Sequence, residues 1–487
     1  MNSTPAAIHQ IAMADSNVTL IVGGGFLGLF TALHLRHRNY PQPIVLIDPQ
    51  SRFVFKPLLY DFLSGEMQTE QVFPSYQELL TGSDITFVQD KATQIDLQNR
   101  RVETAGGKSY HYRNLVLAVG SIQGYFDTDG AATNAFAFRT QADVERLEQH
   151  LRECLHKASQ SADPTERQRL LTVAIVGAGP SGVETAATLA DFLPRQHTIL
   201  GGKSDKLRIA IVNHGREILE GDVNSHLKQS ALNALQERQC AVELLLGVSV
   251  KSVTAEGLTY QAQDSDRLQT LATATTIWSA GTATNPLLKT LCLPDDRRDR
   301  HGLPLVTPTL QLADFLEVFA GGDCAVVEQK SLPALAQVAY QQGAGIADNL
   351  IALAEGKPLK SVQVNLRGTL MKLGMGNGVA NLFDRVQIDG TEGALIRDAT
   401  YLEMLPTPIH NFKATTEWIQ ESIFNRFRQP TVTSVAGHLN QQIAAKNRAA
   451  LLWIGGGVAI AAVIIGAIFT VERSPQWQSP TSIHRRS

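Results

Sequence analysis

The feature that most constrains the fold is a pattern that occurs twice: an apolar run, then G-x-G-x-x-G, then a helical pattern of small residues. The copies are V-T-L-I-V-G-G-G-F-L-G-L-F-T-A-L-H-L at 18–35 and V-A-I-V-G-A-G-P-S-G-V-E-T-A-A-T-L-A at 173–190. This order is typical of a buried parallel strand, a tight turn and a helix. The sequence therefore predicts an α/β fold with two Rossmann-like βαβ units.

The three glycines of each motif have separate roles in nucleotide binding. The first permits a tight turn, the second lets a pyrophosphate approach the backbone, and the third lets helix and strand pack closely. The pyrophosphate then meets the positive end of the helix. The two sets are Gly23, Gly25 and Gly28, and Gly177, Gly179 and Gly182. We therefore predict two dinucleotide-binding domains.

The first motif is followed by an acidic strand end. The run I-V-L-I-D-P at 44–49 contains Asp48, twenty residues past Gly28, where a carboxylate can bind ribose hydroxyls. Two dinucleotide sites in one chain indicate a resident flavin and a visiting nicotinamide nucleotide. Late in the chain, G-G-D-C-A offers Gly322 and Asp323 as a further phosphate or ribitol contact. We expect the N-terminal unit to bind FAD, closed by this later segment.

The corresponding strand of the second unit ends on an amide. In L-R-I-A-I-V-N-H-G-R-E at 207–217, Asn213 takes the place of Asp48, and an insertion around 195–206 lengthens the spacing. An acid there binds the ribose of NADH but repels the 2′-phosphate of NADPH, whereas an amide removes the repulsion. Arg216 can meet the phosphate with charge-assisted hydrogen bonds. This favours NADPH; the alternative is an enzyme indifferent to the phosphate.

Composition narrows the functional classes. A formal charge of -3 over 487 residues, without a basic run, gives no reason to expect nucleic acid. The four cysteines are far apart and form no C-x-x-C pair, which argues against a dithiol redox couple or a multi-cysteine metal site. We therefore expect no metal.

The C-terminal part contains one segment unlike a soluble domain. Residues 449–471 are 23 residues without a charge, about 34 Å as a helix, long enough to cross the hydrocarbon core of a bilayer. Trp453 and the flanking Lys446, Arg448 and Arg473 suit the membrane interfaces. We predict a single transmembrane helix; the alternative is a buried core helix. The flanking charges do not fix its orientation.

Other segments give weaker predictions. Helical spacing predicts an amphipathic helix at about 140–160, and a second helix at 332–350 opened by Pro333. Residues 365–405 are Gly-rich and strand-like. The pattern at 409–428 suits a helix that packs on the body or lies in the membrane interface.

Several short motifs together resemble one family. They are F-K-P-L-L-Y-D (55–61), L-V-L-A-V-G-S (115–121), I-W-S-A-G (277–281), V-F-A-G-G-D-C-A (318–325) and A-Q-V-A-Y-Q-Q (336–342). With the paired glycine motifs, residues 17–428 resemble the type II NAD(P)H dehydrogenases, most of all the cyanobacterial and plastid branch. The resemblance implies a non-proton-pumping flavoprotein that passes electrons from NAD(P)H through FAD to a membrane quinone. A membrane span after the catalytic body departs from the family's common pattern.

The resemblance also implies residue roles. FAD would be held by Gly23, Gly25, Gly28, Asp48, Lys56, Gly120 and Asp323. The nicotinamide nucleotide would face Gly177, Gly179, Gly182 and Glu184, and the quinone pocket would contain Gln337, Gln341 and Gln342. Glu184 would be the acid–base candidate, although a glutamate in a first helical turn is equally a surface residue that stabilises the helix dipole.

Physical reasoning supports the quinone assignment. On a helix, Gln337 and Gln341 are four residues apart and share a face, and amides can hydrogen-bond quinone carbonyls without bringing a charge into an apolar pocket. The helix start beside Pro333 is a candidate to direct its positive end toward the reduced flavin.

Together these predictions define the expected organisation. A flexible leader (1–16) precedes an FAD-binding domain (17–125 and 290–360) and an NAD(P)H-binding domain (126–289). A membrane-associating region (361–428), a linker (429–448), the transmembrane helix (449–471) and a tail (472–487) follow. We expect the catalytic domains on the cytoplasmic side of a plasma or thylakoid membrane.

The sequence leaves the exact partners open. Plastoquinone, menaquinone or a related naphthoquinone, and ubiquinone, are all candidate acceptors. The sequence does not show whether the protein forms a homodimer, as members of the family that it resembles often do. A sulfide:quinone oxidoreductase and a membrane-tethered redox sensor are the alternative functions. The scattered cysteines argue against the first, and the glutamine helix argues against the second.

Overall fold

The computed structural model describes residues 17–406, except 203–206, 222–223, 239, 329–331, 367 and 383–385. The leader, the 409–428 pattern, the linker, the predicted transmembrane helix and the tail therefore lie outside the described residues. Within the described part, no helix is both long and apolar enough to cross a membrane.

The chain begins with a parallel βαβ unit and a small antiparallel sheet. In order, the elements are β1 (Thr19–Val22), α1 (Phe26–His37), β2 (Ile44–Asp48), α2 (Leu59–Leu63), α3 (Thr69–Val72), α4 (Tyr76–Leu79), β3 (Ile85–Gln89), β4 (Ala92–Asp96), β5 (Arg101–Thr104), β6 (Ser109–His111), β7 (Asn114–Leu117) and β8 (Ser121–Gln123). β1 and β7 are buried at every position, as expected for central parallel strands.

The second βαβ unit occupies the middle of the chain. Its elements are α5 (Ala131–Asn134), α6 (Gln141–Gln160), α7 (Pro164–Leu170), β9 (Thr172–Val176), α8 (Pro180–Ile199), β10 (Arg208–Asn213), α9 (Ser225–Gln236), β11 (Val242–Leu246), β12 (Val248–Val253), β13 (Gly257–Ala262), β14 (Leu268–Ala272), β15 (Thr275–Trp278) and β16 (Thr282–Thr284). α6 confirms the amphipathic helix predicted at about 140–160, and Thr140 caps it through Asp143.

The remaining chain returns to the first unit and then adds a separate layer. Its elements are β17 (Leu305–Val306), β18 (Gln311–Leu312), β19 (Phe315–Ala320), β20 (Val326–Val327), α10 (Ala336–Ala354), β21 (Gly368–Lys372), β22 (Gly378–Leu382), β23 (Val386–Asp389) and α11 (Gly390–Glu403).

Two sheets place the glycine motifs. The first has the order β20-β17-β18-β19-β7-β1-β2-β3, with β1 parallel to β2 and β7. The second has the order β11-β10-β9-β15, with β9 parallel to β10 and β15. Each motif follows the carboxyl end of a strand with neighbours on both sides, the position where open α/β sheets bind ligands. The α/β fold with two dinucleotide-binding units is confirmed.

The unequal spacing of the two units has a simple cause. α1 contains 12 residues and α8 contains 20, although both begin directly after the second glycine of their motif. The insertion predicted around 195–206 thus begins as an extension of α8. The insertion does not displace β10, which still pairs in parallel with β9 and ends at Asn213 as expected.

Two local predictions were wrong. α10 begins at Ala336 rather than beside Pro333, because Leu335 is extended and its carbonyl is the first acceptor of the helix. Gly368–Lys372, Gly378–Leu382 and Val386–Asp389 form strands as predicted, but Gly390–Glu403 forms helix α11. Gly393 serves close packing there, since a Cβ atom would lie 2.5 Å from the carbonyl oxygens of Gly378 and Ile388.

Candidate functional site

The first glycine motif forms a tight turn with one open face. Gly23 has φ of 103°, and a Cβ atom there would lie 2.3 Å from the Ala118 carbonyl oxygen. A Cβ atom at Gly28 would lie 1.8 Å from the carbonyl oxygen of Gly23. At Gly25, by contrast, an added Cβ would meet no atom of the described chain within 4 Å. The outer glycines are required by packing, and the middle one leaves room for a pyrophosphate.

The second motif repeats this geometry. Gly177 has φ of 105°, and a Cβ atom there would lie 2.9 Å from the Ala280 nitrogen. A Cβ at Gly182 would lie 1.9 Å from the Gly177 carbonyl oxygen, whereas one at Gly179 has open space within the described chain. Both turns thus have the shape that a dinucleotide requires.

The two strand ends hold their turns in the same way. The Asp48 carboxylate accepts a hydrogen bond from the Gly24 backbone at 2.6 Å, and the Asn213 side-chain oxygen accepts one from Ala178 at 3.0 Å. Burial raises the pKa of Asp48, although the Gly24 N–H favours its charged form. The two units therefore share this hydrogen bond, but the residue that accepts it is an acid in the first unit and a neutral amide in the second.

Arg216 lies beside the Asn213 strand end. Its guanidinium is exposed and forms an ion pair with Asp264 at 3.1 Å. Nearby, the His214 ring bonds the Ser249 hydroxyl at 3.0 Å. Because an exposed ion pair contributes little stability, the Arg216 side chain can exchange Asp264 for another anion at small cost.

A polar group lies beyond the first motif. Asp323 accepts a hydrogen bond from the Ser121 hydroxyl at 3.0 Å, and Arg139 donates to the Ser121 carbonyl at 2.7 Å. The Lys56 side chain is exposed at the surface. Desolvation by the surrounding protein lowers the pKa of Lys56, the Arg139 charge lowers it further, and the Asp323 charge raises it. Gly120, with φ of 60°, turns the chain just before Ser121. The sequence did not identify Ser121 or Arg139.

The predicted glutamines make two different sets of contacts. Gln337 and Gln341 share a face of α10, as predicted, and that face meets Asn365 and Gly368. Gln337 donates to the Gly368 carbonyl at 3.1 Å, while Gln341 both accepts from and donates to the Asn365 backbone, each at 2.9 Å. Gln342 points elsewhere and accepts from the Gly322 N–H at 2.6 Å. It therefore joins α10 to the turn that carries Asp323.

Glu184 is buried, so the interpretation of a surface residue was wrong. Its carboxylate accepts a hydrogen bond from the Lys372 backbone at 2.8 Å, and the neighbouring Tyr60 hydroxyl donates to the Ser181 hydroxyl at 3.0 Å. Burial raises the pKa of Glu184 to about 7, although Arg397 opposes the shift. This carboxyl group can therefore gain or lose a proton near neutral pH.

Glu184 belongs to a buried charge cluster that the sequence did not reveal. The Lys372 ammonium donates to Asp61 at 2.6 Å and to Glu66 at 2.5 Å, and Arg397 donates to Asp61 at 3.0 Å. Burial disfavours both the Asp61 charge and the Lys372 charge, but the opposite charges outweigh it, so the pKa of Asp61 is lowered and that of Lys372 raised. We call this group the charge cluster: Asp61, Glu66, Glu184, Lys372, Arg397 and Asp398.

The charge cluster joins three separate parts of the chain. Asp61 lies in α2, Glu184 in α8, and Arg397 in α11. Arg397 also donates to the Pro57 carbonyl at 2.6 Å and to Asp398 at 2.8 Å. The final layer of the fold is thereby fixed between the two dinucleotide units.

Comparisons with known proteins agree with this geometry. The family model described as pyridine nucleotide-disulphide oxidoreductase matches residues 18–343. Demethylphylloquinone reductase NdbB of Synechocystis is 31% identical over 412 residues, covering 82% of this chain and 95% of the relative. The type II NADH:quinone oxidoreductase Ndh of Mycobacterium tuberculosis is 30% identical, covering 69% of this chain and 73% of the relative.

The chain belongs to the type II NAD(P)H:quinone oxidoreductase family. A solved structure has the same fold: NDH2 from Plasmodium falciparum in complex with NADH aligns with a TM-score of 0.75 at 17% identity, covering 84% of this chain and 99% of that one. The family model covers both glycine motifs and ends within α10. The predicted cofactor-binding residues and the three glutamines of this type II oxidoreductase therefore all lie within the matched region.

The cysteines of this type II oxidoreductase are unpaired. Cys154, Cys240 and Cys324 are buried and Cys292 is exposed. Burial raises the pKa of Cys324 to about 11, and its thiol bonds the Leu117 and Gly321 carbonyls. Among the described residues, no group of three or more His, Cys, Asp or Glu side chains is arranged to hold a metal ion.

Proposed function

We propose that this protein is an FAD-dependent oxidoreductase that takes a hydride from NAD(P)H and passes electrons to a membrane quinone without pumping protons. The observation that carries the proposal is the pair of matching glycine turns, each with an open middle glycine at the carboxyl end of a parallel strand. A chain with two such turns can bind two dinucleotides, and membership of the family supplies the reaction type.

The first turn fits FAD. The turn of Gly23, Gly25 and Gly28 leaves space for its pyrophosphate. Asp48, at the end of the next strand, would bind its ribose hydroxyls. Gly120, Lys56 and Asp323, with Arg139 and Ser121, then provide a polar wall for the rest of the cofactor. When bound there, FAD supplies the redox centre that accepts a hydride and returns two electrons.

The second turn suits a nicotinamide nucleotide, with NADPH favoured over NADH. The second turn, formed by Gly177, Gly179 and Gly182, leaves space for a pyrophosphate as the first turn does. Asn213 accepts a hydrogen bond from the turn, as Asp48 does in the first unit, but carries no charge. The side chain at position 213 therefore presents no negative charge to a 2′-phosphate. Arg216 can exchange its exposed partner Asp264 for that phosphate.

Glu184 is our candidate for moving a proton during turnover. It is buried, bonded to the Lys372 backbone, and has a pKa of about 7. A group with a pKa near the working pH can both donate and accept a proton efficiently. The charge cluster around it keeps the neighbouring lysine and arginine ionised.

We assign the quinone to the region of Gln337, Gln341 and Gln342. The amides of Gln337 and Gln341 donate to the backbone carbonyls of Gly368 and Asn365, so a quinone would take over these hydrogen bonds or bind beside them. Plastoquinone, menaquinone and related naphthoquinones are the acceptors that we favour. The uncharged segment 449–471 supports anchoring of the C-terminal region. We place the catalytic domains on the cytoplasmic face.

The sulfide:quinone alternative is disfavoured by the cysteines. Cys324 lies next to Asp323, but its thiol is buried and its pKa is raised to about 11. A thiolate is the reactive form of cysteine, so Cys324 is poorly suited to the thiolate chemistry that a cysteine-dependent oxidation of sulfide requires. A redox sensor without turnover remains the second alternative, which direct kinetics can separate from an enzyme.

Anaerobic reduction of the bound flavin tests the function. We expect NADPH to bleach the flavin faster than NADH, sulfide to leave it oxidised, and naphthoquinones or plastoquinone to restore its absorbance. Flavin that is reduced but not reoxidised by any quinone would favour the sensor, and bleaching by sulfide would favour the alternative enzyme.

One substitution tests the donor preference. Asn213→Glu restores an acid to the strand end, so we expect the ratio of kcat/KM for NADPH to that for NADH to fall at least tenfold, the effect of about 1.4 kcal/mol. The matched control is Asn233→Glu, an amide on α9. An unchanged ratio in Asn213→Glu would show that this strand end does not select the nucleotide.

A further inference from the structure

A tight turn after β8 has an unusual residue in its bend. Phe126 and Asp127 have φ of 49° and 53°, and the Thr128 N–H donates to the Tyr125 carbonyl at 3.0 Å. Turns with two consecutive left-handed residues favour Gly, Asn and Asp. A bulky aromatic in this conformation is strained, so the turn itself does not account for Phe126.

Packing does not account for it either. Phe126 is 69% exposed. The Trp278 indole N–H donates to the Gly124 carbonyl at 2.8 Å, and the Tyr125 ring lies 5.7 Å from the Trp278 ring. The residues before Phe126 are thus anchored on Trp278, while the Phe126 ring itself is mostly exposed to solvent.

The ring lies beside the second glycine turn. A Cβ atom at Gly281 would lie 2.0 Å from the tip of the Phe126 ring, so the ring covers that glycine. The preceding Ala280 is in turn packed against Gly177, with its nitrogen 2.9 Å from a Cβ built there. Phe126, Gly281, Ala280 and Gly177 thus form a continuous wall at the carboxyl ends of β9 and β15.

The order of strands indicates which half of a dinucleotide meets this wall. β9 lies between β10 and β15. A dinucleotide whose pyrophosphate lies on the β9 turn extends its halves to opposite sides. Asn213 at the end of β10 is assigned to the adenosine half, so the nicotinamide half would extend in the other direction, toward β15 and the exposed Phe126 ring.

We propose that the Phe126 ring is a binding surface for the nicotinamide half of the nucleotide, against which the nicotinamide or its ribose packs. The proposal rests on the proposed function, since it requires the second turn to bind NAD(P)H. The ring determines how long that half stays bound, whereas the Asn213 side recognises the adenosine half. Aromatic faces attract flat and cationic rings, and oxidised nicotinamide is both.

Phe126→Gly removes the ring and keeps the turn, because glycine adopts positive φ without strain. Calorimetric titration of the FAD-loaded full chain with NADP+ and NAD+ is expected to show Kd raised about tenfold. The fragments 2′,5′-ADP and ADP, which lack the nicotinamide half, should bind as they do to the wild type. Phe126→Tyr should restore the dinucleotide affinity.

Asp127→Gly is the matched control, since it relaxes the other left-handed residue of the same turn. We expect it to leave all four affinities unchanged. Equal dinucleotide affinity in Phe126→Gly and wild type, or an equal loss of the fragments, would overturn the inference. Failure of both nucleotides to reduce the wild-type flavin would instead overturn the proposed function.

Discussion

Replacing Glu184 by glutamine tests the electrostatics of the charge cluster. Burial raises the pKa of Glu184 from 4.5 to about 7, and each tenfold change in an equilibrium constant is worth about 1.4 kcal/mol. Keeping the carboxylate ionised in the folded protein therefore costs about 3 kcal/mol. Glutamine keeps the oxygen that accepts from Lys372 and removes the charge, so Glu184→Gln is expected to relieve this cost.

The direction of the pKa shift of Glu184 determines the pH range over which the stability changes. Because the folded-state pKa is raised, folded Glu184 holds a proton that the unfolded chain releases between pH 4.5 and about 7. Its contribution to stability is present at low pH and is lost as the pH rises through 7. The stability of Glu184→Gln relative to wild type should therefore increase by about 3 kcal/mol from pH 4.5 to pH 8.

Urea unfolding of FAD-loaded protein at several pH values measures this difference. Glu256→Gln, an exposed glutamate, controls for the substitution itself. Two parallel curves of unfolding free energy against pH, for wild type and Glu184→Gln, would refute the account of a desolvated carboxyl at this position. A difference that grows as the pH falls would show that the sign is wrong.

Two further predictions concern packing and charge. Gly182→Ala would place a Cβ 1.9 Å from the Gly177 carbonyl oxygen, so we expect the purified protein to keep its flavin absorbance but to lose NADPH-dependent bleaching. Arg397→Met removes one of the two cations that bind Asp61 and leaves Asp398 without its guanidinium partner, so the free energy of unfolding in urea should fall by up to about 3–5 kcal/mol. Arg36→Met breaks an ion pair with the exposed Asp84 and should cost less than about 1 kcal/mol, and equal losses in the two variants would contradict the argument.

The parts of the fold that sequence predicts best are those set by local constraints. A glycine that must adopt positive φ, or that packs against a neighbouring carbonyl, leaves a fixed spacing in the sequence, as at Gly23 and Gly28. The polar strand ends at Asp48 and Asn213 could likewise be identified because they follow buried apolar runs. These features determine the two βαβ units.

The charge cluster could not be predicted, because its contacts are not local. Asp61 is 311 residues from Lys372 and 336 from Arg397. The one signal is a lysine within the apolar stretch L-M-K-L of β21, which pattern alone does not pair with a carboxylate. Helix ends were also poorly predicted: Pro333 suits a first helical turn, but the backbone of Leu335 decides where α10 begins.

The separation within the cluster also matters while the chain is being made. Synthesis at about 5–20 residues per second puts roughly a quarter of a minute to a minute between Asp61 and the arrival of Lys372. During that interval Asp61 has neither of its cations and is costly to bury, so α2 cannot settle into its final packing. A nascent chain that stops before Arg397 would therefore keep an unfinished surface near its beginning, which chaperones and proteases can recognise.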